Sequence, residues 1–298
     1  VRRWIRIFIL VAVAALVVPI ALCFVYPDVS KLKKENPQKT SFMEYREGQW
    51  RDEGKNITIR RQWVPLSRIS NNVTKAALIA EDDKFWKHKG FDFDAIEKAL
   101  EKDLKEKKFK FGGSTITQQL AKNLYLTPSK NPIRKIREAI YTWRLEKSLS
   151  KRRILELYLN VAEWGEGIFG IEAAARYYYR KSAAALGPIE AARLVSALPN
   201  PRKYNPIGNS GYINNRSRII YRIMVRRGIV VEDYEEITSG AEARQDAGKD
   251  LKQQTGPAAA QPPAVAPGKP AAETGRLPEN KEKGQGKPDA QKGARNDL

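Results

Sequence analysis

Two short stretches hold the side chains best suited to chemistry. Glu81-Asp82-Asp83-Lys84-Phe85-Trp86-Lys87-His88-Lys89-Gly90 sets carboxylates beside an aromatic pair and the one histidine of the chain. Gly112-Gly113-Ser114-Thr115-Ile116-Thr117-Gln118-Gln119-Leu120 follows and is too rich in glycine and glutamine for ordinary core. Glu81 comes after Leu78 and Ile79 on an apolar helix face, where burial would raise its pKa towards a value suited to proton transfer. Asp82 can restrain a turn, orient a basic group or share the electrostatic work. A cap with a surface charge pair is the plain alternative for isolated carboxylates; the crowding of Phe85, Trp86 and His88 into the same turn weighs against it. His88 is expected to make a structural hydrogen bond, since no second His or Cys completes a metal set.

Gly112 and Gly113 permit backbone shapes closed to other residues, and Ser114 and Thr115 offer hydroxyls and helix-start amides able to receive a phosphate. The spacing is not that of a nucleotide-binding loop, and capping alone would also account for Ser114. Paired amides at Gln118 and Gln119 suit sugar hydroxyls or the floor of a cleft, and Lys122 and Asn123 extend that polar surface. Further on, Arg134, Glu138 and Tyr141 share a helix face, with Lys135 and Arg137 beside them. That face reads either as a surface ion pair or as a basic cluster matched to a departing phosphate, with Glu138 organising the cations or a divalent ion. Arg153 and Glu156 lie among Leu155, Tyr158 and Leu159, which leaves Glu156 open to substrate binding or to a buried structural role.

The elements that must position these groups read as helices. Asn71 or Asn72 can cap a helix that ends at Glu81 and Asp82; Asp92 or Asp94 caps the next; Ser114 caps Thr115 to Leu124. Asn131-Pro132 opens a long helix with proline at its first position, Ser150 another, and Gly187-Pro188 a third that Pro199 and Pro201 close. A basic amphipathic helix spans about Asn215 to Arg227. Ile57 to Trp63 is the one candidate strand.

From Ile7 to Tyr26 the chain carries no charge, and Arg2, Arg3 and Arg6 precede it. Such a helix is long enough to cross a bilayer with its N-terminus cytoplasmic and the remainder on the outer face. Phe24-Val25-Tyr26-Pro27 is a poor cleavage site, which favours an anchor over a signal peptide. The single cysteine, Cys23, lies inside it, so no disulfide is expected beyond. The expected organisation is a cytoplasmic N-terminus at 1–6, an anchor at 7–26, a charged linker at 27–56, one domain at 57–232 and a disordered Pro/Ala/Gly/Lys-rich tail at 233–298. The formal charge of +20 therefore belongs to the anchor flank and the domain, and points to an anionic surface or a phosphate-bearing substrate. Nucleic acid is the competing partner, against which the membrane segment argues. The expected class is mostly α.

Beyond these physical readings, Glu81-Asp82-x-x-Phe85-x-x-His88-x-Gly90 resembles the first motif of the membrane-anchored peptidoglycan glycosyltransferases. Gly112 to Leu120 with Lys122-Asn123 resembles their second, Arg134-Lys135-x-x-Glu138 their third and Ile154-Leu155-Glu156-x-Tyr158-Leu159-Asn160 their fourth. Gly170 to Ala174 through Tyr178 and Lys181, then Glu190 to Ala192 with Pro199 and Pro201, resembles a final block. The likeness covers about 60–230 and is nearest to the monofunctional, biosynthetic branch without a transpeptidase domain.

The resemblance implies a lysozyme-like helical domain that polymerises lipid II into β-1,4-linked glycan, releasing undecaprenyl pyrophosphate. It implies Glu81 as general base towards the acceptor hydroxyl and Glu138 near the donor pyrophosphate, with Lys122, Arg134 and Lys135 neutralising the leaving group. Ser114, Thr115, Gln118, Gln119, Asn123, Arg153 and Glu156 complete the expected substrate contacts. Mg²⁺ or Mn²⁺ at the pyrophosphate is the only cofactor it allows; no protein metal cage and no organic cofactor are expected. Expected partners are lipid II, the nascent glycan, the cytoplasmic membrane and cell-wall proteins including a separate transpeptidase. Lys98 to Phe111 would match a mobile, membrane-facing segment of the family. A lytic peptidoglycan-cleaving enzyme and a noncatalytic glycan-binding scaffold are the alternatives.

Overall fold

In the computed structural model, residues 2–106, 113–128 and 131–230 are described. Gly112, Lys107 to Phe111 of the expected mobile segment, and all of the expected tail lie outside them. The first helix, α1 (Arg2–Leu22), has 21 residues with a stretch of 18 of mean hydropathy 2.8, and at 1.5 Å per residue it extends about 30 Å, enough to cross a membrane. It ends four residues before Tyr26, the last position of the expected anchor. There Arg144 donates to the carbonyls of Cys23, Val25 and Pro27 at 2.8, 3.0 and 2.7 Å.

The segment expected as a linker carries structure. α2 (Ser41–Asp52), capped by Thr40, buries Met43 and Trp50 against Phe169 in a small satellite core. Met43 and Trp50 are the fully buried apolar side chains of this largely polar helix, with Phe42 partly buried beside them, so its periodicity is too sparse to read locally.

α3 (Asn71–Glu81) is capped by Ser70, one residue before the expected asparagines. α4 (Phe93–Glu106) starts where Asp92 accepts the Ala95 amide at 3.0 Å, and Lys98 to Glu106 fall within it. α5 (Ile116–Tyr125) packs on α6 (Pro132–Ser148) and α7 (Lys151–Val161), while α3 packs on α9 (Pro188–Ala197) and α10 (Gly211–Arg226). α8 (Ile171–Tyr179) lies between these groups in sequence. Ile116, Leu120, Leu145, Ile154, Leu157 and Trp164 are wholly buried where these faces meet. Burial on that scale, at roughly 25 cal/mol per Å² of apolar surface, stabilises a domain that has no disulfide.

A three-stranded sheet, ordered β1-β3-β2, closes one side. β1 (Arg60–Arg61), inside the expected strand, runs parallel to β3 (Ile168–Phe169), and β2 (Glu163–Gly165) is antiparallel to β3 with an irregular register between Glu163 and Gly165. The glycines here make a turn that continues into α8. At Gly170, φ is +82° and an added Cβ would stand 2.8 Å from the Asn160 carbonyl, so only glycine fits. The mostly helical, lysozyme-like class expected from sequence holds.

Candidate active site

Helix α3 delivers Glu81 at its last residue, and Asp82 fixes where that end points. One Asp82 oxygen accepts the Ile116 amide at the start of α5 at 3.0 Å; the other meets His88 Nε2 at 2.8 Å. His88 Nδ1 accepts the Gly90 amide at 3.1 Å, so the neutral ring carries its proton on Nε2 and donates it to Asp82. Gly90, at φ +91°, leaves 2.8 Å between an added Cβ and Thr142, and its carbonyl accepts from Thr115 Oγ1 at 2.7 Å. The histidine is structural, as the sequence suggested. Its turn clamps α3 to α5.

That clamp sets Glu81 opposite the first turn of α5. Gln119 donates to Glu81 Oε2 at 2.9 Å, and Tyr158 donates to Gln119 Oε1 at 3.2 Å. On the other side, Arg216 of α10 reaches Glu81 Oε1 at 3.2 Å and the Ala80 carbonyl at 3.3 Å. The Glu81 side chain is 11 % exposed. Burial raises its pKa, and the bonds from Gln119 and Arg216 offset part of that rise. The arrangement holds a carboxylate whose affinity for a proton exceeds that of a free glutamate.

A second group gathers around Glu138, whose side chain is 4 % exposed. Arg134 donates to Oε2 at 2.7 Å, Lys135 pairs with Oε1, and Lys135 Nζ also stands 3.5 Å from Ser114 Oγ. Ser114 and Glu81 line one cavity of about 260 Å³. Lys122 lies between the two groups electrostatically: burial lowers its pKa, and Glu138 and Glu81 both raise it. Gln119, Lys122 and Asn123 line a neighbouring cavity of about 160 Å³ together with Tyr158, Glu163 and Asn200. Lys135 and Ser114 thus link the Glu138 group to the cavity that holds Glu81.

Four expected contacts have other tasks. Thr115, not Ser114, caps α5, and Gln118 completes a capping box with it: Thr115 Oγ1 accepts the Gln118 amide at 3.2 Å, and Gln118 Oε1 accepts the Thr115 amide at 3.0 Å. Both side chains are buried and bonded at the helix start, and Thr115 also lines the cavity that holds Glu81 and Ser114. Arg153 donates to Leu32 O, Glu35 O and Asn36 Oδ1 at 2.7, 2.8 and 2.8 Å. Glu156 pairs with Arg153 and accepts the Leu66 amide at 2.9 Å. This pair ties the approach to α2 and the start of the domain to α7. Sequence reasoning missed Arg216, which is separated from Glu81 by 135 positions.

The donor set does not suit a divalent ion held by protein alone. Both Glu138 oxygens are taken by Arg134 and Lys135, and no cluster of three or more His, Cys, Asp or Glu side chains occurs among the described residues.

The family model described as Transglycosylase matches residues 51–225. A biosynthetic peptidoglycan transglycosylase of Dechloromonas aromatica is 51 % identical over 185 residues, 62 % of this chain and 80 % of that protein. One from Aromatoleum aromaticum is 54 % identical over 169 residues, 57 % and 74 % of the two chains. One from a Janthinobacterium species is 44 % identical over 218 residues, 73 % and 94 %.

Proposed function

Because the chain belongs to the transglycosylase family and is a peptidoglycan glycosyltransferase that polymerises glycan strands, we propose that the cleft between Glu81 and Glu138 joins lipid II units. The observation that carries this is the separation of roles between two carboxylates. Glu81 meets two donors in a cleft where burial raises its pKa, whereas Glu138 is held between two cations.

In the proposed reaction, Glu81 takes the proton from the 4-hydroxyl of the incoming lipid II. That oxygen attacks the anomeric carbon of the growing chain as the bond to undecaprenyl pyrophosphate breaks, and inversion turns the α-linkage into a β-1,4 bond. Lys122, Arg134 and Lys135 stabilise the charge developing on the departing pyrophosphate, and Glu138 fixes Arg134 and Lys135 before the reaction. Ser114, Gln119 and Asn123 supply polar contacts to the sugars and phosphates. The step is written with protein groups alone, because the described side chains form no cage for a metal.

The helix α1 anchors the enzyme in the membrane, and Arg2, Arg3 and Arg6 favour a cytoplasmic N-terminus with the catalytic domain, about 57–232, on the outer face. A single lipid substrate in that membrane then reaches the cleft without leaving the bilayer surface. The test is incubation of the detergent-solubilised full chain with purified lipid II, with products sized on a gel. Ladders of growing glycan support the reading; cleavage of preformed glycan without growth would overturn it.

A further inference from the structure

The 160 Å³ cavity beside Gln119 has one wall that the proposed reaction does not use. Glu163, in β2, is buried with its side chain 3 % exposed, and Arg46 of α2 is its partner. A guanidinium facing a carboxylate ordinarily bonds both oxygens in a fork. Here Arg46 Nε and Nη2 both go to Oε2, at 3.1 and 2.8 Å. The third Arg46 contact turns away, from Nη1 to Gln49 at 2.8 Å. Glu163 Oε1 is left buried with no hydrogen-bond partner among the described residues. Such an acceptor weakens a fold unless a donor arrives.

The walls of the same cavity indicate which donor. Phe42, Tyr158, Pro199 and Pro201 offer flat apolar surface; Gln119, Asn123 and Asn200 offer amides. Flat apolar faces mixed with amides suit a pyranose ring bearing hydroxyl and acetamide groups. Two of the lining residues connect the cavity to the reaction. Gln119 bonds Glu81 directly, and Lys122 belongs to the cluster proposed to hold the pyrophosphate. A ring here would lie next to that pyrophosphate.

We propose that Glu163 is a substrate-positioning residue whose Oε1 accepts a hydrogen bond from a hydroxyl or acetamide N–H of the sugar next to the pyrophosphate, with Arg46 of the juxtamembrane helix aiming it. The inference rests on the reading of the cleft as a lipid II site and adds a residue and a helix to it. α2 begins ten residues before the stretch matched by the family model, so the segment leading from the membrane becomes one wall of the sugar site.

The experiment compares wild type, Glu163→Gln and the apolar replacement Arg46→Met/Glu163→Leu as full-length, detergent-solubilised proteins. Steady-state lipid II polymerisation, thermal melting and lipid II binding in a Glu81→Gln background are measured on each. Glu163→Gln is expected to lower kcat/KM by about tenfold to a hundredfold, mainly through KM, with a matching rise in Kd. The apolar pair is expected to melt near wild type, because a buried ion pair can be replaced by well-packed apolar residues without loss, and to remain slow. Recovery of wild-type kcat/KM in the apolar pair, or unchanged KM and Kd in Glu163→Gln, would show that the carboxylate serves only Arg46 or an ordered water and would overturn the inference. Should Glu163→Gln fail to fold, the apolar pair decides alone. Wild type that neither binds nor polymerises lipid II overturns the functional reading itself, a result distinct from normal wild-type turnover with undisturbed variants.

Discussion

Glu81 and Glu138 are both largely buried carboxylates, and their surroundings differ in kind. Glu81 ends a helix and receives one neutral amide and one guanidinium, and the cost of burying its charge outweighs what they return. Glu138 sits mid-helix, where Arg134 and Lys135 come from one turn earlier on the same face and occupy both its oxygens. A proton acceptor needs an oxygen whose environment favours protonation, whereas an organiser of cations needs oxygens that its cations occupy. On the proposed reading, two residues of one type divide a reaction by partner alone.

The largest effect that would break this contrast is expected from Glu81→Gln. It should lower kcat by about 10²–10⁴-fold while leaving the far-ultraviolet circular dichroism unchanged. The sign of its stability effect also follows. Burial makes the folded protein bind the Glu81 proton more tightly than the unfolded chain, whose value is near 4.5. Wild-type stability from this group therefore falls as pH rises from 4.5 through the raised folded pKa. Melting curves should show Glu81→Gln gaining on wild type as pH rises above about 4.5.

Glu138→Gln should cost less, about a hundredfold in kcat/KM, because the cations remain but lose their fixed arrangement. A loss as deep as that of Glu81→Gln, with the proton-dependent limb gone, would erase the distinction. Arg216→Met sharpens it further. Arg216 lowers the Glu81 pKa, so its removal should move the acidic limb of the rate profile to higher pH, with a smaller change in the plateau. Arg153→Ala is expected to have the least effect on turnover, within about twofold, yet to cost about 1–3 kcal/mol in denaturant unfolding as its bonds to Leu32, Glu35 and Asn36 are lost. A large KM effect there would return Arg153 to the substrate site.

Much of this was readable from residue order where the cause is local. Asn131-Pro132 and Ser150 open α6 and α7 as expected, because caps and a first-turn proline act within a few residues. The cap of α5 was read one residue early, since Ser114 and Thr115 are chemically alike and only the reciprocal bond with Gln118 separates them. That same bond turns Gln118 to the helix start, while Gln119 faces Glu81, a difference of one helical step. The burial of Trp50 depends on Phe169, and the partner of Glu81 on α10 depends on how α3 and α10 pack. Neither leaves a periodic trace in its own neighbourhood. The short strands β2 and β3 are similarly set by pairing across a glycine turn.

The most direct measurement is the rate of lipid II polymerisation against pH for wild type, Glu81→Gln and Glu138→Gln, at saturating substrate. The expected result is an acidic limb above the ordinary glutamate range in wild type and in Glu138→Gln, and a flat, slow profile in Glu81→Gln. An acidic limb that survives in Glu81→Gln, or one that disappears only in Glu138→Gln, would contradict the assignment of Glu81 as the base.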